Sequence, residues 1–81
     1  MVKVDDVIRD YTQTAPGMEN IWTVGGRRYV LYRVLSVARG VVIGRRYNSP
    51  GWSDREDGRE KEFPKVKLSK PSYTKGIWEF S

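Results

Sequence analysis

The stretch from Arg27 to Tyr47, RRYVLYRVLSV-ARG-VVIGRRY, decides the fold. Its period is ambiguous, because Val30, Leu31, Val34, Leu35 and Ala38 would line one side of a helix. Most of its apolar positions are valine or tyrosine, however, and glycines bound it on both sides, so a long strand partly buried on both faces is preferred. Gly40 then closes a hairpin onto the second run. A three-residue loop, Ala38-Arg39-Gly40, with Gly40 in the left-handed region, sets Val37 against Val41, Leu35 against Ile43 and Leu31 against Tyr47. The same register sets Arg33 opposite Arg45; a loop of two or four residues would set it opposite Arg46. The four-residue string GRRY occurs at 26–29 and 44–47, far too short to signal a repeat architecture.

Working outward, Val4, Val7, Ile8 and Tyr11 fall at helical spacing with Asp5 and Asp6 near the start, which predicts a short helix over residues 1–12, an N-terminal strand being the alternative. Residues 13–19, containing Pro16-Gly17, read as a loop. Ile21 to Val24 reads as a strand turning at Gly25-Gly26. On the other side, residues 48–63 read as a long charged loop. Pro64 to Lys70 alternates with Val66 and Leu68 inward and lysines outward, which predicts a half-exposed strand. Residues 71–76 form another loop before a short strand, Ile77 to Phe80. The expected fold is one mainly β (α+β) domain spanning 1–81: a short N-terminal helix, then about five antiparallel strands between residues 21 and 80, curled into a small barrel.

With 81 residues the chain buries only about 60–65% of its unfolded surface, leaving a thin core and little room for a catalytic pocket. It has no cysteine and no histidine, which removes disulfides, thiolate metal sites and imidazole chemistry. No signal-peptide pattern or run of eighteen apolar residues is present, so a cytoplasmic or intravirion protein without membrane contact is expected. Abundant charge with only three Asn and Gln residues leans toward a heat-adapted source.

The net charge of +5 conceals an uneven distribution. No acid lies between Glu19 and Asp54, while six arginines do: Arg27, Arg28, Arg33, Arg39, Arg45 and Arg46. Arginine's planar fork suits phosphate. The segment from Asp54 to Glu62 crowds five acids with three bases. Its Gly58 cannot be aligned with a calcium loop, and its charges neutralise one another, so a solvated loop is preferred to a metal or catalytic site. Gly25-Gly26 lacks the spacing of a phosphate-binding loop. Serines have no histidine partner, and Ser69 and Lys70 fall on opposite faces of a strand. No catalytic residue, metal site or cofactor is expected.

The arginine and aromatic set is the remaining candidate. Two guanidiniums facing each other across a strand pair are unfavourable unless an anion or carboxylate joins them, and no acid is near in sequence. Tyr29, Tyr32 and Tyr47 alternate with these arginines. Most aromatics in so small a domain must still be core, and Trp22 and Trp78 are expected mainly inside. Trp52, in the polar loop, either folds back or projects to stack on a ligand. The candidate nucleic-acid contacts are Arg27, Arg28, Arg33, Arg45, Arg46, Tyr47, Trp52, Lys65 and Lys67.

The order of elements, a Trp-bearing strand, GRRYVLYRVLSV, GVVIGRRY, a charged loop and a short terminal strand, resembles in general outline the SH3-like and Tudor-like small barrels. Such barrels recur in archaeal chromatin proteins, ribosome-associated modules and small phage or viral proteins. The likeness rests on element order and assigns no site. The expected function is a non-enzymatic nucleic-acid-binding module, DNA favoured over RNA, with low sequence specificity. The alternative is an assembly module that dimerises or binds a partner through a strand edge or through Trp52 and Tyr73. A small nuclease dependent on Glu79 or Arg33 is the distant third.

Overall fold

A computed structural model describes residues 1–12, 22–47, 56–71 and 75–81, with the side chains of 56–58 excepted. Among these residues the chain forms β1 (Val7–Asp10), β2 (Trp22–Val24), β3 (Arg27–Val37), β4 (Val41–Tyr47), β5 (Glu56–Pro64), a 3-10 turn (Lys65–Lys67), β6 (Leu68–Ser69) and β7 (Ile77–Phe80). They make one curled half-barrel sheet in the order β5-β4-β3-β1-β7-β6, with β2 also paired to β3. All described pairings are antiparallel except β1 with β7, which is parallel.

The 27–47 stretch forms the two strands its composition predicts. Gly25 and Gly26 lie at φ 55° and 78°, two consecutive left-handed residues, which is what a tight two-residue hairpin requires. In β3, Val30, Tyr32 and Val34 are buried on the concave face, while Leu31, Arg33 and Leu35 are half-buried on the other. The expected register holds where it matters for the arginines, since Arg33 pairs with Arg45, but it fails near the turn. Val37 pairs with Val42 rather than Val41, and Ser36 rather than Leu35 pairs with Ile43. Ala38 and Val41 exchange backbone hydrogen bonds, so the loop is Arg39-Gly40, with Gly40 at φ 80°. A register shift between Val34 and Ser36 absorbs the odd residue, as a β-bulge does, and restores Arg33 to Arg45.

The N-terminal helix is not formed. Residues 7–10 are instead a strand between β3 and β7, with Ile8 and Asp10 fully buried and Val7 and Arg9 facing the other way. A lone helix of under a dozen residues is marginal, whereas here both backbone edges are satisfied by neighbours. Asp5 enters this strand at φ 75°, a conformation Asp tolerates better than most residues, and its N–H donates to the Val34 carbonyl at 2.9 Å.

The charged loop expected over 48–63 is also corrected, because β5 occupies residues 56–64 and pairs with β4 along its length. Phe63 points inward with no exposure, and Glu60 and Glu62 point outward. Within the expected 64–70 strand, Lys65–Lys67 form the 3-10 turn and only Leu68–Ser69 make a strand of their own, β6. Val66 is 91% exposed rather than inward, while Leu68 does pack on the core. The Lys65 N–H donates to the Gly40 carbonyl at 2.9 Å, holding the turn against the β3-β4 hairpin.

The core fills the concave side: Ile8, Val30, Tyr32, Val34, Val42 and Phe63, with Trp78 and Phe80 partly buried against it. Trp22 is half-buried as well, so both tryptophans, expected mainly inside, lie at intermediate exposure. Gly44 sits beneath the edge-to-face Tyr32 and Phe63 rings, whose centroids are 5.1 Å apart. A Cβ there would meet Tyr32 Cβ at 3.0 Å and the Phe63 ring at 3.2 Å. The two GRRY glycines therefore serve different ends, one a turn and the other a close approach.

Candidate nucleic-acid interface

Strand alternation sorts the arginines by face. Arg9, Arg27, Arg33 and Arg45, with Tyr11, Tyr29 and Tyr47, fall on the convex side. Arg46, paired with Tyr32, falls on the concave side and is 8% exposed. Arg28 lies on the face opposite Arg27, next to Thr23 on β2.

Across the convex face runs the row Ile77, Val7, Arg33, Arg45 and Glu60, one residue from each of five adjacent strands. The Arg33 and Arg45 juxtaposition is compensated from both flanks. Arg33 donates to Asp5 Oδ1 at 2.9 Å, and Arg45 to Glu60 Oε2 at 3.2 Å. The expectation that no acid is at hand is thus corrected, because the sheet brings acids from 28 and 15 residues away. Both carboxylates are well exposed, at 75% and 48%, and exposed pairs of this kind contribute about 0–1 kcal/mol. A phosphate can replace such a partner at small cost.

A second cluster on the same face joins four strands, β1, β2, β3 and β7. The Arg27 guanidinium stacks 3.9 Å from the Tyr11 ring centroid, Tyr11 meets Tyr29 edge-on at 5.6 Å, and Trp22 stacks on Tyr29 at 6.3 Å. Arg9 lies 5.4 Å from the Tyr29 centroid and 3.7 Å from Glu79. The Tyr11 hydroxyl donates to Glu79 Oε2 at 2.6 Å. Burial first, and then this bond to Glu79, hold the Tyr11 hydroxyl pKa above its ordinary value, against the opposing pull of Arg9. The Trp22 indole nitrogen is buried with no hydrogen-bond partner among the described residues.

Arg9 and Tyr11 were not among the sequence candidates, since a helical reading of 1–12 separates them from β3 and β7. The alternation of Ile8 and Asp10 against Val7, Arg9 and Tyr11 was the available signal.

Of the remaining candidates, Lys65 and Lys67 sit on the 3-10 turn beside the β3-β4 hairpin loop, apart from the Arg27 cluster. Trp52 and Tyr73 lie outside the described residues. On the concave side Asp10, fully buried, accepts Lys61 Nζ at 2.6 Å, the Thr12 hydroxyl at 2.6 Å and the Thr12 N–H at 2.9 Å. Lys61 also lies 5.3 Å and 5.2 Å from the Phe63 and Phe80 ring centroids.

Among the described residues there is no group of three or more His, Cys, Asp or Glu side chains able to hold a metal ion. No helix among them is long and apolar enough to cross a membrane. No protein-family model, curated protein or solved structure matches this chain.

Proposed function

We propose that this protein is a non-enzymatic nucleic-acid-binding module that grips phosphates with the arginines of its convex face and stacks bases on the adjoining rings. The observation that carries this reading is the shared face itself: Arg9, Arg27, Arg33 and Arg45 fall on one face with the half-buried Tyr11 and Trp22, which pack on the buried Tyr29, and Arg27 stacks on Tyr11. Guanidiniums interleaved with aromatic faces are the means by which small β-sheets hold single strands without reading sequence. Arg33 and Arg45 have carboxylate partners, but exposed ones that exchange readily.

The test is a tryptophan-fluorescence titration with single- and double-stranded DNA and RNA oligonucleotides at two salt concentrations. Affinity at the micromolar level or tighter, falling with salt and weakened at least about tenfold by Arg27→Glu with Arg33→Glu, supports the reading. Binding that is flat with salt, or indifferent to both substitutions, sinks it.

A second reading, a protein-interaction module, is favoured by one specific observation: Val7, Leu31, Ile43 and Ile77 on the same convex face are only half-buried. Size-exclusion chromatography at high salt separates the two, because association through an apolar face survives salt and phosphate binding does not.

A further inference from the structure

Where β1 begins, an open cleft of roughly 340 Å³ is lined by Lys3, Asp6, Lys70, Lys75 and Gly76, together with Met1. Three segments distant in sequence supply its lysines: the N-terminal stretch, the residue after β6, and the turn into β7. Gly76, at φ 76°, shapes that turn, and its carbonyl accepts the Val7 N–H at 2.9 Å. This cleft lies at the opposite end of β1 from the Arg27 and Tyr11 cluster.

The charge balance there differs from that on the convex face. Arg9, Arg33, Arg45 and Lys61 each have a carboxylate partner. Among the described residues, Lys3, Lys70 and Lys75 form no ion pair. The one acid in the cleft among the described residues, Asp6, is committed elsewhere, since its Oδ2 accepts the Trp78 indole N–H at 3.0 Å and the Lys3 backbone N–H at 2.9 Å. Three ammonium groups against one carboxylate leave an excess of two positive charges. Gathering like charges around one cavity is unfavourable in the absence of an anion. Lysine is a compact point charge on a flexible stem, suited to a tetrahedral oxyanion whose orientation is not fixed by a fork. Trp78 packs against the core beneath Lys70, at 5.8 Å, next to the cleft without lining it. The cleft volume is at the lower end of the range for small-ligand sites, about 300–1,000 Å³.

We propose that this cleft is a phosphate-binding site, separate from the convex arginine face and independent of whether that face binds nucleic acid. The phosphate could belong to a free nucleotide or to a polymer backbone, which share the same chemistry.

The Trp78 indole N–H reports on the cleft through its bond to Asp6. Three tryptophans give three indole resonances in a proton–nitrogen NMR spectrum, and the peak lost in Trp78→Phe assigns the relevant one. Pyrophosphate and thymidine 5′-monophosphate are expected to shift it saturably, with Kd near or below about 1 mM, while thymidine does not. Lys70→Glu with Lys75→Glu, both at exposed positions, should weaken this at least about tenfold. Arg33→Glu with Arg45→Glu should leave it unchanged. An otherwise unaltered spectrum shows that each variant is folded.

No saturable shift with either phosphate probe, a shift of equal size with thymidine, or a shift that persists in the lysine variant overturns the proposal. A twelve-residue oligothymidylate distinguishes the sources: loss of its binding in the lysine variant marks a polymer phosphate, and unchanged oligonucleotide binding with lost monophosphate binding marks a free nucleotide. Failure of the convex-face reading shows instead as oligonucleotide binding indifferent to the arginine substitutions, so the two outcomes are distinct.

Discussion

Asp10 has no solvent exposure, yet it keeps its charge company with three donors, two from Thr12 and one from Lys61. The pair ties β1 to β5, which are not neighbours in the sheet, so it works across the concave interior rather than along a ladder. Its two members are not equivalent. The Lys61 side chain is 26% exposed and can hydrate if abandoned, whereas the Asp10 side chain cannot. Lys61→Met, which strands a buried carboxylate, is therefore expected to cost about 3 kcal/mol, and Asp10→Asn only about 1–2 kcal/mol. Urea denaturation of the two variants checks the order, and equal or reversed losses would contradict it. Tyr11 offers a second residue-level test. Its hydroxyl pKa is raised in the folded chain, so the folded state holds this proton more tightly than the unfolded state does. The resulting stability is fully present below the ordinary tyrosine pKa of about 10 and is lost as pH rises through the higher folded value. Thermal unfolding followed from pH 9 upward should show a steeper decline for the parent protein than for Tyr11→Phe; parallel curves would remove Tyr11 from the account.

Among the elements, the β3-β4 hairpin was legible because everything that specifies it is local: glycines at both turns, valines between, and alternation that puts Val30, Tyr32 and Val34 on one face. Even there the bulge near Leu35 was not readable, since a two-residue turn with a bulge and a three-residue loop give the same Arg33 and Arg45 pairing. β1 was misread because Val4, Val7, Ile8 and Tyr11 satisfy a helical period, while its true partners lie over twenty and about seventy residues away. β5 was hidden by charge, with Phe63 its one fully buried residue among the described side chains and Lys61 turned inward to meet Asp10. The same non-locality explains the site: the arginine pair could be read from the hairpin, but Asp5, Glu60 and Arg9 reach it only through the sheet. Gly44→Ala tests the packing beneath Tyr32 and Phe63, and is expected to cost about 1–3 kcal/mol by chemical denaturation because both neighbours are core. β5 lies at the sheet edge. Any two-fold antiparallel pairing centred between Arg59 and Glu62 sets an identical charge against itself, which disfavours a dimer through that edge. Glu60→Thr with Glu62→Thr should consequently raise self-association in sedimentation velocity, and no change would show that these charges do not guard the edge.

At the scale of the whole molecule, the folded chain redistributes a charge of +5 that the sequence alone places on the arginine-rich middle. Asp5, Glu60 and Glu79 travel to the convex face and temper Arg33, Arg45 and Arg9, while Asp10 goes to the interior with Lys61. On the proposed reading, a polymer on the convex face has to displace these carboxylates as well as counterions, which would moderate its affinity without abolishing the salt dependence. If Arg9, Arg27, Arg33 and Arg45 each meet one phosphate, log affinity for duplex DNA against log salt should fall with a slope of about −3.6, and somewhat less for single strands. The longest dimension, 34 Å, matches about ten base pairs at 3.4 Å each, so affinity should stop rising once the duplex exceeds about that length. Fluorescence titrations with duplexes of increasing length, between about 50 and 200 mM salt, read both quantities. A slope near −1 would mean that the carboxylates hold their arginines and that the convex face is not the contact surface. A slope well beyond −4 would mean that the lysine cleft joins the same backbone, with the polymer running the length of β1 from Lys3 to Arg27.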